Sequence, residues 1–200
     1  YPYILTVHPS VPAKTAAEFI ALARQKPGAM SYASSGNGSG PHLGFELFKM
    51  MAGIDLVHVP YKGAGPANRE LISGQVQAFF NNVLAARGHI EAGRIQVLAT
   101  TGATRSKALP EVPTLAESGL PGFDVTSWYG LIAPAGVPAA IVNRIQADAA
   151  AAMRSPDLVS RLSRDGAEPV GSTSAEFEKF LRAEMRQWEK VVKSAGIVLD

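Results

Sequence analysis

The chain has 200 residues, 46% of them hydrophobic and 18% charged, with a formal net charge of +2. That length suits one large domain or two small ones, and so small a charge demands neither nucleic acid nor an acidic membrane as a partner. Cysteine is absent, which excludes a disulfide frame, a thiolate metal site and a cysteine nucleophile; no apolar run approaches the roughly 20 residues that a membrane span needs.

The sequence opens Tyr-Pro-Tyr-Ile-Leu-Thr-Val, without methionine or a signal peptide. A chain that starts inside a strand-like pattern is expected to be a piece of something longer. Residues 3–8 read as a strand. Pro9 to Pro12 form a turn, and Thr15 begins a helix with Ala16, Phe19, Ile20, Leu22 and Ala23 on its apolar face, ended by Lys26-Pro27-Gly28. A small, β-prone strand starts at Met30, and a helix runs from Pro41 to Ala52. Leu56 to Pro60 is a short strand, followed by a glycine-rich turn at 61–66 and a helix from Ala67 to Ser73. Val76 to Phe80 is a strand delivering Asn81 and Asn82 to a loop. Leu84 to Ala92 is a helix and Ile95 to Thr100 a strand. This alternation predicts a parallel sheet with helices on both faces. In such sheets ligands sit beyond the carboxyl ends of the strands, so the turns after Ser34, Pro60, Phe80 and Thr100 are expected on one edge.

Beyond Thr100 the pattern shifts. Residues 108–122 carry three prolines around one turn of helix at 115–118, and 123–132 form an extended aromatic run. A helix is expected over Ala139–Met153, another from Pro156 to Asp165, and a short strand over 166–170. A last helix, capped by Ser172 or Thr173, runs to about Ala195. Its stripe of Phe177, Phe180, Leu181, Met185, Trp188 and Val192 reads as core. A domain change or hinge is expected near Trp128.

The chemistry concentrates in Ser34-Ser35-Gly36-Asn37-Gly38-Ser39-Gly40. Strand, glycine-rich turn and helix start together aim N–H donors and a positive dipole end at one spot, which suits a carboxylate or a phosphate. Ser34, Ser35 and Ser39 add hydroxyls, and His42 could add a donor. The alternative is a plain βα turn whose glycines only permit tight geometry. Other chemistries fail on spacing. Pro41 stands where a dinucleotide fingerprint needs its third glycine, no Gly-Lys-Ser/Thr ends a P-loop, and Gly38-Ser39-Gly40 lacks the spacers of a hydrolase elbow. His8, His42, His58 and His89 are never paired at helical ligand spacing, so zinc is unsupported. His58, between Val57 and Val59, reads as a satisfied strand histidine. Acids and bases are thin while hydroxyls, amides and turn N–H groups are plentiful, which favours binding over catalysis and implies no cofactor. Tyr61, Trp128 and Tyr129 are the aromatics nearest the expected cleft, with hinge or core packing as the alternative for each.

SYASSGNGSGPHLGFELFKMMAGIDLVHVPYKGAGPA, then GQVQAFFNNV, then AGRIQVLATTGATRSKALPEVPTLAESGLPGFDVTSWYGLIAPAGVP closely resemble the Bug, or TctC-like, receptors of tripartite tricarboxylate transporters. The resemblance covers essentially the whole chain. It implies a type II periplasmic binding protein-like α/β fold, two domains closing like a flytrap around a small carboxylate: a di- or tricarboxylate, an amino acid or an aromatic acid. It also implies a periplasmic location, membrane transporter subunits as partners, no nucleic acid and no enzymatic activity. A non-transport sensor, with the clamp presenting its ligand to a signalling partner, and an enzyme are the alternatives. By matching position the ligand-binding set is Ser34, Ser35, Gly36, Asn37, Gly38, Ser39, His42, Tyr61, Asn81, Asn82 and Trp128. Asn81-Asn82 replaces a common Asp-Asn, so a role in holding an ammonium is in doubt and a more anionic ligand is tolerated. Residues 8–127 are expected to be a complete second domain. Residues 1–7 and 128–200 are expected to be hinge strands and the C-terminal part of a first domain whose N-terminal part is absent.

Overall fold

The computed structural model describes residues 1–164 and 166–198. Strands β1 (Ile4–Val7), β2 (Ser31–Ser34), β3 (Val57–Pro60), β4 (Ala78–Asn81) and β5 (Gln96–Thr100) form one sheet in the order β3-β2-β4-β1-β5. Helices α1 (Ala16–Gln25), α2 (Gly40–Ala52), α3 (Ala64–Ile72) and α4 (Val83–Glu91) alternate with them, and α5 (Ala139–Met153), α6 (Pro156–Arg164) and α7 (Ser174–Ala195) follow. The fold is the expected mixed α/β class.

Strand alternation divides the core between the two faces of the sheet, because successive side chains point to opposite sides. Leu5, Val7, Tyr32, Phe80 and Ala99 pack with Phe19 of α1 and Phe45 and Phe48 of α2. Ile4, Ala33 and Phe79 pack with Leu71 of α3 and Ala86 of α4. Helix starts follow local chemistry: the Thr15 hydroxyl accepts from Glu18 N and the Asn82 amide from Leu84 N and Ala85 N. At α7, Thr173 and Glu176 form a reciprocal capping box.

Three expectations need correction. β3, β2 and β4 are the parallel core, but β1 runs antiparallel to both β4 and β5. Alternation fixes the order of elements along the chain, not the edge from which a strand is entered. β1 ends where β2 begins, since His8 N and Ser31 N both donate to Gln77, at its carbonyl oxygen and its Oε1 (3.1 and 2.8 Å). Second, among the described residues, 166–170 pair with no strand and 123–132 make one isolated bridge, Pro2 to Thr126. Third, the α7 stripe is not core in this chain. Phe180 is 42% and Met185 63% exposed, while Val191 is the buried residue of the helix and Trp188 packs on the α1–α2 side of the core. An amphipathic period states that a face seeks cover but not that the cover lies within the same 200 residues. Asp165, the expected end of α6, lies outside the described residues. Helix α3 also begins at Ala64, three residues early, so Gly63 rather than Pro66 closes the preceding turn.

Candidate functional site

Register brings the strand ends together. Ile4 stands opposite both Asn81 and Thr100, and Ser34 opposite Pro60. The turns after β2, β3, β4 and β5 therefore share one edge. The reversed β1 adds its own start, Tyr1 to Tyr3, to that edge. There 1–3 runs antiparallel beside 125–127: Tyr1 N donates to Ser127 O and Ser127 N to Tyr1 O, both 2.9 Å. Thr101 ties the two segments, accepting from Tyr3 N at its hydroxyl (2.8 Å) and donating to Val125 O (2.7 Å).

The two glycine-rich turns are zipped to each other. Tyr61 N donates to Ser34 O and Gly63 N to Ser35 O, both 3.1 Å, continuing the β2–β3 ladder past its end. Within the first turn, Ser34 is fully buried; its hydroxyl donates to Gly36 O and accepts from Gly36 N, both 3.1 Å. Gly38 adopts φ +70°, a region that favours glycine, and its N–H donates to His42 Nδ1 at 3.0 Å. Ser39 N donates to Gly36 O at 3.2 Å. Some of the turn's amides are therefore spent on the turn itself. Others are not: the N–H groups of Ser35, Asn37, Gly40 and His42, with those of Ala64 and Gly65 opening α3, bond to no described residue. Ser39 caps α2 with its backbone alone, and its Oγ is buried with no described partner, as is Thr100 Oγ1 at the end of β5. Two helix starts thus present unpaired donors and their positive dipole ends, beside an unpaired hydroxyl.

Beneath the turn lies a buried polar seam. The His42 ring stacks on His58 (centroids 3.8 Å apart, planes 8° off parallel), His58 on Tyr32, and Tyr32 on Phe45. His58 Nε2 is 2.7 Å from Ser34 Oγ. The Tyr32 hydroxyl donates to Glu46 Oε1 (2.5 Å), which Lys49 Nζ also reaches at 2.9 Å. Burial first, then the adjacent His42, pushes the His58 pKa down to about 4; burial lowers His42 as well. Burial and the Glu46 carboxylate raise the Tyr32 phenol far above its ordinary range. At neutral pH both imidazoles are uncharged, so the edge attracts anions through amides, hydroxyls and dipoles rather than through a full positive charge.

Several site residues take other positions than expected. His42 is buried and accepts a loop N–H instead of adding a donor at Nδ1. Asn81 is fully buried; its amide pairs with that of Asn68 on α3 and accepts from Asn82 N. Its side chain faces Asn68 within the fold. Asn82 spends its oxygen on capping α4. Tyr61 packs on the α3–α4 side of the core. Trp128, next in the chain to Ser127, docks on α7, donating to Glu184 Oε2 (3.0 Å) edge-on to Phe177 and Phe180. The structure adds residues that the motifs missed. Tyr3, buried, lies with its hydroxyl against Gly40 at the start of α2. Tyr1 lies beside Tyr129, their hydroxyls 3.4 Å apart. Asn68 lies behind Asn81. Only the direction of β1 could have placed Tyr1 and Tyr3 here, and that direction is not a local property. A half-open hollow of about 200 Å³ lies elsewhere, between α5, α6 and residues 169–171. It is lined mainly by apolar groups and Arg154, whereas the glycine-rich edge is an open surface. Chemistry, not enclosure, identifies the site.

Residues 1–197 match the TctC family, the tripartite tricarboxylate transporter family receptors. Among curated relatives, a protein from the tcbD–tcbE intergenic region of Pseudomonas sp. strain P51 is 35% identical over 96% of this chain and 57% of its own length. BugT of Bordetella pertussis is 33% identical over 99% of this chain and 61% of its own. The chain thus spans about 60% of the length of these relatives. Among solved structures, Rpa4515 of R. palustris with adipate superposes with a TM-score of 0.88 at 40% identity, covering 98% of this chain and 66% of that one. MatC of Rhodopseudomonas palustris with bound malate gives 0.80 at 29%, over 96% and 66%.

Proposed function

This chain belongs to the family of tripartite tricarboxylate transporter receptors, and from that premise we propose that it is the larger part of a periplasmic receptor. That receptor captures a small dicarboxylate at the glycine-rich sheet edge and delivers it to the membrane subunits of such a transporter. The observation that carries this reading is the set of unpaired donors at the starts of α2 and α3 together with the unpaired Ser39 hydroxyl. A carboxylate accepts from several N–H groups at once, and bonds to a charged acceptor are the strong ones. Ser39 has no base beside it, and the serine–histidine contact of the turn, Ser34 with His58, lies on a fully buried serine, so the arrangement suits holding rather than reacting. The adipate and malate carried by two structural neighbours support a dicarboxylate. Residues 8–127 act as one jaw; 1–7 and 128–198 act as hinge and as part of the other, whose remainder lies outside these 200 residues.

The test is calorimetric titration of the full-length receptor with adipate, malate and other small acids. One acid should bind, and Ser39→Ala should weaken it by about ten- to a hundredfold, since a hydrogen bond to a charged group contributes roughly 1.5–3 kcal/mol. Absence of binding by every acid would overturn the reading.

A further inference from the structure

The glycine-rich turn must keep its free amides in place against the entropy of a flexible loop, and what holds it from below is a pair of histidines. We propose that His42 and His58 are positioning residues for the anion seat: stacked face to face, they pin the turn through the Gly38 N–H and the Ser34 hydroxyl, and the seat keeps its shape only while His42 is uncharged. This deepens the receptor reading and rests on it for the ligand, though not for the loop.

Atom-by-atom accounting leads there. His42 Nδ1 accepts the Gly38 N–H at 3.0 Å. An imidazolium carries hydrogen on both nitrogens and accepts nothing, so this bond exists only with His42 neutral and its proton on Nε2. Ser34 Oγ has three contacts: Gly36 O, Gly36 N and His58 Nε2. A hydroxyl has one proton to give. With that proton on Gly36 O, the oxygen accepts from Gly36 N and from His58 Nε2–H, and all three contacts are satisfied. His58 is then also the Nε2–H tautomer. The rings lie 3.8 Å apart and nearly parallel, so a charge on either raises the cost of a charge on the other.

The charged and titratable groups around the pair are few. Tyr32 of β2 stacks on the far side of His58. Glu46 and Lys49 of α2 pair with each other and influence both rings with opposite sign. Glu46 is occupied twice over, by Lys49 and by the Tyr32 hydroxyl, and it makes no hydrogen bond to either imidazole. The seam therefore offers neither ring a carboxylate to hold an added proton. The one bond that His42 makes requires a neutral ring, whereas His58 Nε2–H can donate to Ser34 in either charge state. Protonating His42 replaces the Gly38 acceptor with a second donor, and the turn loses the bond that fixes Gly38 between the free amides of Asn37 and Gly40.

The experiment uses the full-length receptor as wild type, His42→Asn and His42→Ala. The Asn oxygen falls close to the position of Nδ1 and accepts without titrating. Adipate is titrated calorimetrically from pH 7.5 to 5, where its own protonation is the same for all three proteins, and exchange of the Gly38 amide is followed without ligand. At pH 7.5 His42→Ala should bind at least about fivefold weaker than wild type, the seat being competent in a smaller fraction of molecules, and His42→Asn should recover part of that loss. Toward pH 5 the wild type should lose affinity relative to His42→Asn, and its Gly38 amide should lose protection. A wild type and His42→Asn with parallel pH profiles, or a Gly38 amide unprotected at pH 7.5, would overturn the proposal. Should adipate bind none of the three, the ligand reading is what suffers. The Gly38 protection in wild type against His42→Ala then decides the positioning role alone.

Discussion

Acid should weaken this fold through His58 before it reaches most of the carboxylates. An unfolded chain binds a proton on this histidine near pH 6.5, whereas the folded protein resists until about 4. Because the folded value is depressed, the stability that the neutral ring contributes is complete above 6.5. It declines as the pH falls, and it is gone once the pH passes below the folded value. The full difference, 6.5 minus 4, is 2.5 units, or ~3.4 kcal/mol at 1.36 kcal/mol per unit. Between pH 7.5 and 5 the accessible part is ~2 kcal/mol, and partial solvent contact of the ring reduces that to ~1 kcal/mol. His42 shifts in the same direction and adds to the effect. The perturbation is His58→Phe, which keeps an aromatic ring between Tyr32 and His42 but cannot titrate. Urea unfolding at both pH values gives the free energies. Wild type should lose ~1 kcal/mol more than His58→Phe over that interval. Equal losses would show that His58 is not held neutral by its surroundings, and the description of the seam would fail with it.

Other outcomes follow from the same geometry. Gly44→Ala places a Cβ 2.9 Å from Val125 Cγ1 and 3.4 Å from the Phe80 ring, so urea unfolding should show a loss of ~1–3 kcal/mol from overpacking. Asn81→Ala leaves the buried Asn68 amide without its partner and should cost ~1–3 kcal/mol by the same measurement. Thr173→Ala removes the α7 capping box and should cost ~1 kcal/mol, read as lower helicity and an earlier thermal transition. The 200-residue chain by itself exposes Tyr129, Leu131, Ile132, Phe180 and Met185. It is expected to self-associate at micromolar concentration, which light scattering after gel filtration would show; a monodisperse monomer would contradict this.

The sequence was most legible where a few neighbouring residues settle the matter. Helix α5 lies at the expected 139–153 because Pro138 cannot be helical interior and alanines dominate beyond it. Thr173 with Glu176 sets the start of α7 within one residue. The strand, glycine-rich turn and helix start around Ser34–Gly40 were legible for the same reason, since all three are local. The pairing of Asn81 with Asn68 was not legible because the two meet across thirteen positions, and an amide's preference for a buried partner leaves no pattern along the chain. The docking of Trp128 on α7 was not legible because Glu184, its acceptor, is 56 positions away.

Amino-acid order alone determined the elements, the two-faced burial of the strands and the donors available after β2 and β3, because these depend on periodicity and on backbone groups within one turn. Tertiary structure decided the reversal of β1, and with it the arrival of Tyr1 and Tyr3 at the seat, the pairing of residues 1–3 with 125–127 and the stacking of His42 on His58. Those features depend on which strands become neighbours. That choice is made by burying both sheet faces at once, a sum over the whole chain that no short stretch encodes.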